Sequence, residues 1–248
     1  MGAAEGSGAH DAGSDRPLVS VISVVRNHAD GLQRTLASVW SQEGVRLESV
    51  VVDGGSTDAT LDVLKAFPET QWSSQPDDGP FDGMNRGLAA VNGDWVVFMN
   101  AGDTFAAPDV LERLQLRARG QAGVVYGAVR IKDRLYRPQD VAGALRRGVI
   151  FGCHQSMVFN RRLLQKQLSY DERFPVYADY ELVARLFHQG VRFEAVDFPV
   201  ACFEGGGMSG RVSLRKRLDK YRAVWRYFGA SGMVAALAHR AFARGKRL

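Results

Sequence analysis

The sequence predicts an α/β protein: a mostly parallel sheet flanked by helices, followed by a C-terminal helical appendage. Three observations carry this. Short apolar runs alternate with segments of helical period from Leu18 to Leu116. The runs are apolar throughout, as strands covered on both faces are. Acids and glycines fall just beyond them, at the carboxyl ends of the predicted strands. With 248 residues, 46% of them hydrophobic, the chain can bury one large core.

The elements follow in order. Leu18 to Val25 (LVSVISVV) is β-branched and apolar, a buried strand. Ala29 to Gln42 places Leu32, Leu36, Val39 and Trp40 on one helical face. Leu47 to Val52 reads as a second strand, and DGGSTD (Asp53 to Asp58) leads into a helix from Ala59 to Phe67. Ser56 or Thr57 is the expected cap. Thr70 to Ser74 is a third strand, Phe81 to Val91 a helix and Asp94 to Asn100 a fourth strand. Pro108 opens another helix. Right-handed crossovers make such an alternation a parallel sheet. Beyond Gly120 the pattern loosens: strands at Ala122 to Arg130 and Val191 to Val196, helices at Arg161 to Gln167 and Asp179 to His188. Two helices, Ser213 to Phe228 and Gly232 to Arg244, close the chain. The expected units are a disordered tail (1–16), a main domain (17–210) and basic helices (211–248).

Charge is unevenly spread. Residues 211–248 hold 11 Lys/Arg and one acid, leaving 21 basic and 26 acidic residues before them. The net +5 therefore belongs to the C-terminal stretch. Val224, Trp225, Tyr227, Phe228 and Leu237 are interspersed there, a composition that suits either a helical appendage packing its apolar side on the domain with its charges solvated, or peripheral contact with an anionic membrane. The longest apolar run is 8 residues, far below the ~20 of a membrane span. Two cysteines make no disulfide framework. Together these place the protein in the cytoplasm, in contact with the inner face of the cell membrane where the basic stretch touches it.

Chemistry gathers on one rim. Asp53 and Asp58 follow the second strand, Asp77, Asp78 and Asp82 the third, Asn100 and Asp103 the fourth. Aspartate after a strand is also an ordinary turn former. Acids beyond three consecutive strands suit magnesium or manganese held together with substrate phosphates.

The run SVISVVRNHADGLQRTLASVWSQ…LESVVVDGGSTDATLDVL resembles the opening of a family 2 glycosyltransferase with the GT-A fold. PDDGPFDGMNRGLAAVNGDWVVFMNAGD, CHQSMVFNRRLL, YADYELVARL and FEGGGMSG resemble its later segments, in order, from the bacterial branch that builds exopolysaccharides and surface glycolipids. The resemblance implies an enzyme that moves a sugar, with inversion, from a nucleotide-sugar donor to a glycan or lipid-linked acceptor. A UDP-sugar is favoured on family grounds. It implies that Asp53 and Asp77 contact the nucleotide, that Asp82, Asn85 and Arg86 lie near nucleotide and diphosphate, and that Asp179 is the catalytic base. Asn100-Ala-Gly-Asp103 stands where the family has an acid-rich metal motif, leaving Asp103 as its one carboxylate. Metal binding is then expected to be weaker. His154 and Gln155 imply an acceptor or diphosphate contact. Glu181 reads either as an acceptor contact or as an ordinary helix acid favoured by the macrodipole.

Other chemistries lack their signatures. Arg26 to Gly31 replaces the glycine-rich turn of a dinucleotide enzyme, and no Walker loop or G-x-S-x-G elbow is present. A non-catalytic nucleotide- or nucleic-acid-binding protein with a basic tail is the alternative. No nucleic-acid motif accompanies the charge, so no nucleic acid is expected.

Overall fold

The computed structural model describes residues 16–205 and 214–245. Of the expected tail only Arg16 is among them, and the end of FEGGGMSG lies outside the described residues.

The elements are β1 (Leu18–Val25), α1 (Ala29–Trp40), β2 (Arg46–Asp53), α2 (Thr60–Lys65), β3 (Gln71–Ser74), α3 (Pro80–Ala90), β4 (Trp95–Phe98), β5 (Thr104–Phe105) and α4 (Val110–Arg113). There follow β6 (Val124–Ile131), β7 (Arg134–Tyr136), α5 (Val141–Arg146), β8 (Met157–Asn160), α6 (Arg161–Leu164), α7 (Ala178–His188), β9 (Phe193–Phe203) and α8 (Leu214–Gly245). Among the described residues the strands form one sheet ordered β3-β2-β1-β4-β8-β6-β9-β5, with β7 on β6. β1 to β4 are mutually parallel, as the alternation predicts. Antiparallel β8 then joins β4 to β6, so the parallel character is confined to the first half and to the β6–β9 pair.

Both faces are covered. Ile22, Val24, Phe98, Met84 and Tyr180 belong to one core, shared with α3, α7 and α8. Val19, Val21, Val97, Leu111 and Leu114 make the other, with Val25, Leu32, Leu36 and Leu64 beside it. The two serines of β1 are satisfied internally: Ser23 donates to the Met99 carbonyl at 2.6 Å, and Ser20 accepts from Gly93 N–H at 2.9 Å.

One local reading is corrected. Neither Ser56 nor Thr57 caps α2: Ala59 holds the N-cap position without a side-chain cap, and Asp58 before it accepts from Thr60 N–H at 3.0 Å. The Ser56 hydroxyl is drawn to Asp53, and Thr57 N–H donates to Asn27 Oδ1 at 2.7 Å. The two expected C-terminal helices are present as the two limbs of α8, which meet at Gly229 (φ 56°, ψ −147°), a positive-φ torsion that glycine takes without a Cβ penalty. The limbs fold back on each other, Arg240 Nη1 donating to the Tyr221 hydroxyl at 3.3 Å. Its inner side buries Ala223, Val224 and Ala236 in the main core. No helix among the described residues is long and apolar enough to cross a membrane.

Candidate active site

The rim beyond β1, β2 and β3 is knit by short polar bonds. Asp53 closes β2 fully buried, its carboxylate accepting from Ser56 N–H at 2.9 Å and from the Ser74 hydroxyl at 2.6 Å. Asn27 N–H donates to Ser56 Oγ at 2.7 Å, which ties the β1 loop to the β2 loop. Asp53 thus shapes the floor of the rim. Asp77 lies over Gly54, where an added Cβ would stand 2.6 Å from its Oδ2, and it accepts from Gly79 N–H at 3.1 Å. Only glycine lets the carboxylate come this close. Asp82, in the first turn of α3, pairs with Arg86 at 2.6 Å, one turn on.

Beyond β4 the chain turns through Asn100 to Asp103. Thr35, on the buried face of α1, holds this turn: its hydroxyl accepts from Gly102 N–H at 3.0 Å and lies 2.7 Å from the Asp103 carbonyl. The Asp103 carboxylate is 4% exposed. Its Oδ1 accepts from Glu204 N–H at 3.0 Å and its Oδ2 from Gln155 Nε2 at 2.6 Å. Burial, the largest effect, raises it to about 6. Gln155 is itself oriented, because the Cys153 thiol donates to its Oε1 and so turns its NH₂ towards Asp103. Burial pushes the Cys153 thiol up to about 12, which keeps it a donor. His154 Nε2 is 3.3 Å from Asn100 Nδ2, and burial lowers the imidazole to about 4, so it is neutral at pH 7.

Asp179 stands in the first turn of α7, and its Oδ1 accepts from Tyr180 N–H at 2.7 Å. Its negative charge adds to burial in raising the Cys153 thiol and the Tyr170 hydroxyl. Asn85 does not face this space as a free amide; it clamps the Tyr170 backbone, accepting from its N–H at 2.8 Å and donating to its carbonyl at 3.0 Å. The Tyr170 hydroxyl is buried with no hydrogen-bond partner among the described residues. Glu181 is buried and turned away, paired with Arg185 at 3.2 Å and bonded by the Tyr227 hydroxyl of α8. The helix-acid reading of Glu181 is the one its surroundings match.

The donor set around Asp103 fits a divalent cation in one way. Among the described residues no three His, Cys, Asp or Glu side chains are grouped to hold a metal. Asn100 Oδ1, however, is buried beside Asp103 with no hydrogen-bond partner among the described residues. One carboxylate and one amide oxygen suit an ion that takes its remaining ligands from phosphate. Sequence reasoning missed Thr35, Tyr170 and Glu204. Glu204 acts through its backbone N–H across 101 residues, and only the FEGGG run gave any signal there.

Fold and rim together define a GT-A-type sugar-transfer enzyme. Residues 20–168 match the model of glycosyl transferase family 2, and the chain belongs to that family: it is a glycosyltransferase. It is 36% identical over 181 residues to an uncharacterized glycosyltransferase of Mycobacterium tuberculosis, covering 68% of each chain. It is 32% identical to the PGL/p-HBAD biosynthesis glycosyltransferase of Mycobacterium bovis, covering 69% of this chain and 70% of the other. With the succinoglycan biosynthesis protein ExoO of Rhizobium meliloti it shares 29% over 255 residues, 90% of this chain and 72% of that one. Its fold is similar to that of a Pyrobaculum calidifontis mannosyltransferase solved with GDP-Man and Mn²⁺ (TM-score 0.62, 19% identity, 91% and 76% covered). It is also similar to S. aureus TarS 1–349 with UDP-GlcNAc (TM-score 0.66, 15% identity, 88% and 70% covered).

Proposed function

We propose that the protein transfers a sugar, with inversion, from a nucleotide-sugar donor, UDP-linked by preference, to a glycan or lipid-linked acceptor in cell-surface glycolipid or polysaccharide synthesis. The observation that supports this most is the buried network beyond β4, in which Gln155 and the Glu204 N–H hold the Asp103 carboxylate beside Asn100. In this reading Asp103 serves the donor side and Asp179 the acceptor side of one space. Relatives that serve PGL/p-HBAD and succinoglycan biosynthesis support the acceptor class.

In this reading Asp179 takes the proton of the acceptor hydroxyl as its oxygen bonds to the anomeric carbon. The bond from that carbon to the diphosphate oxygen breaks on the opposite side. A positioned carboxylate contributes about 10²- to 10⁴-fold. Asp103 and Asn100 Oδ1 would hold manganese or magnesium, which when bound neutralises charge on the diphosphate. The loops of Asp53, Asp77 and Asp82 cradle the nucleotide, with Arg86 beside the phosphates and His154 near the acceptor or diphosphate. A lipid-linked acceptor is met at a membrane surface, and the basic C-terminal stretch is the part of the chain to touch it.

A donor panel decides the matter: UDP-, GDP- and dTDP-sugars are incubated with the full chain and manganese, and released nucleoside diphosphate is scored. Release from the UDP-sugars above the other two is expected. No release from any of the three, with or without candidate acceptors, overturns the reading.

A further inference from the structure

A packed terminal helix needs one apolar side, and each limb of α8 has two. The inner sides meet the core through Val224, Ala223 and Ala236, with Tyr227 and Phe228 against α7. The outer sides are also apolar. Among the described residues nine large hydrophobic side chains are exposed, and five of them, Leu218, Trp225, Val234, Leu237 and Phe242, are on α8. In the limb beyond Gly229 the exposed positions Val234, Leu237, Ala238, Ala241 and Phe242 follow the i, i+3, i+4, i+7, i+8 pattern of an apolar stripe. In the limb before it, Leu218 and Trp225 share a face with Arg222 between them and Arg226 alongside, all four exposed.

We infer that this outer face is a docking surface for an anionic phospholipid bilayer, with the aromatic and aliphatic tips entering the headgroup boundary and the arginines on the phosphates. Charge selects the occupant. A second copy laid on the same face would bring Arg222 and Arg226 of both copies together, like charges that repel. An anionic leaflet complements them. The surface also has a place relative to the chemistry. Arg222 lies 5.2 Å over the Phe174 ring and Arg226 is 3.8 Å from Asp171, so the first limb flanks the segment that leads into Asp179. A bilayer seated there would present a lipid-borne acceptor beside the base. This last point deepens the proposed acceptor class and rests on it; the docking does not.

The test sediments the full chain with phosphatidylcholine vesicles, with and without about one third phosphatidylglycerol. Binding to the anionic vesicles alone, weakened by high salt, is expected. Trp225→Ser combined with Val234→Ser should lower the apparent affinity at least tenfold at unchanged melting temperature, since both side chains lie outside the core. Equal binding to neutral vesicles, no binding to either, or undiminished binding by the double variant overturns the inference. So does a doubled mass in light scattering that the double variant returns to a monomer, which would give the face to a second copy. Vesicle binding needs neither donor nor turnover, so a failed donor panel with intact binding counts against the transfer reading alone.

Discussion

Replacing Asp179 with Asn should abolish transfer while nucleotide affinity stays within a few fold, because a base acts only in the transition state. Turnover measured at saturating donor, beside calorimetric nucleotide binding, checks this; wild-type turnover in the variant would remove Asp179 from the chemistry. Asp103 carries a pH signature. Burial raises it from 3.8 to about 6, so in the folded protein the ionised form is the penalised one. The penalty is absent below the unfolded value near 3.8 and complete above about 6. Wild type should therefore lose stability relative to Asp103→Asn as the pH rises through that window, by on the order of 3 kcal/mol in the metal-free protein. Denaturation curves of the pair at several pH values give the result, and parallel stabilities across the window would refute it. These two acids were legible in the sequence because each sits in a motif. Thr35, Tyr170 and Glu204 were not, since a threonine on an apolar helix face, a clamped tyrosine and a backbone N–H leave no pattern.

Elements with many apolar β-branched residues were the legible ones. Leu18–Val25 was read to the residue because LVSVISVV is covered on both faces. β5 has two residues and β7 three, too short to show any period. α5 is six residues with a glycine inside, and β8 lay hidden in a segment noticed for its chemistry. The reading of Val191 to Val196 stopped early because Asp197 and Pro199 interrupt the run, yet β9 continues to Phe203. The register against β6 slips at Ala128 and Pro199, a bulge that accommodates the missing N–H. Turn geometry at the site is equally testable. Gly102 has φ +100°, and a Cβ there would run into the Glu204 carboxylate. Gly205 has φ +89° with no described atom within 4 Å of an added Cβ. Gly102→Ala should cost about 1–3 kcal/mol in backbone strain and also weaken metal-dependent nucleotide binding, by displacing Glu204 from Asp103. Gly205→Ala should cost strain alone. Equal nucleotide binding by both variants would detach Glu204 from the site.

Across the whole molecule α8 is part of the folding unit, since Val224 and Ala236 are fully buried in the core that holds Tyr180 and Phe98. Val224→Ala should destabilise the protein by about 1–3 kcal/mol within a single cooperative transition. An early separate transition for α8, with the rest unchanged, would make it an independent appendage. The pairing of β5 with β9, Thr104 with Cys202, has a consequence for biosynthesis. The parallel strands β1 to β4 leave the ribosome before β9, and with them the loops of Asp53, Asp77 and Asp82 expected to touch the nucleotide. The donor to Asp103 Oδ1 is the N–H of Glu204, just past the end of β9. A nascent chain that has not yet exposed Glu204 carries Asp103 without that hydrogen bond, so the order of synthesis separates making the nucleotide cradle from completing the site.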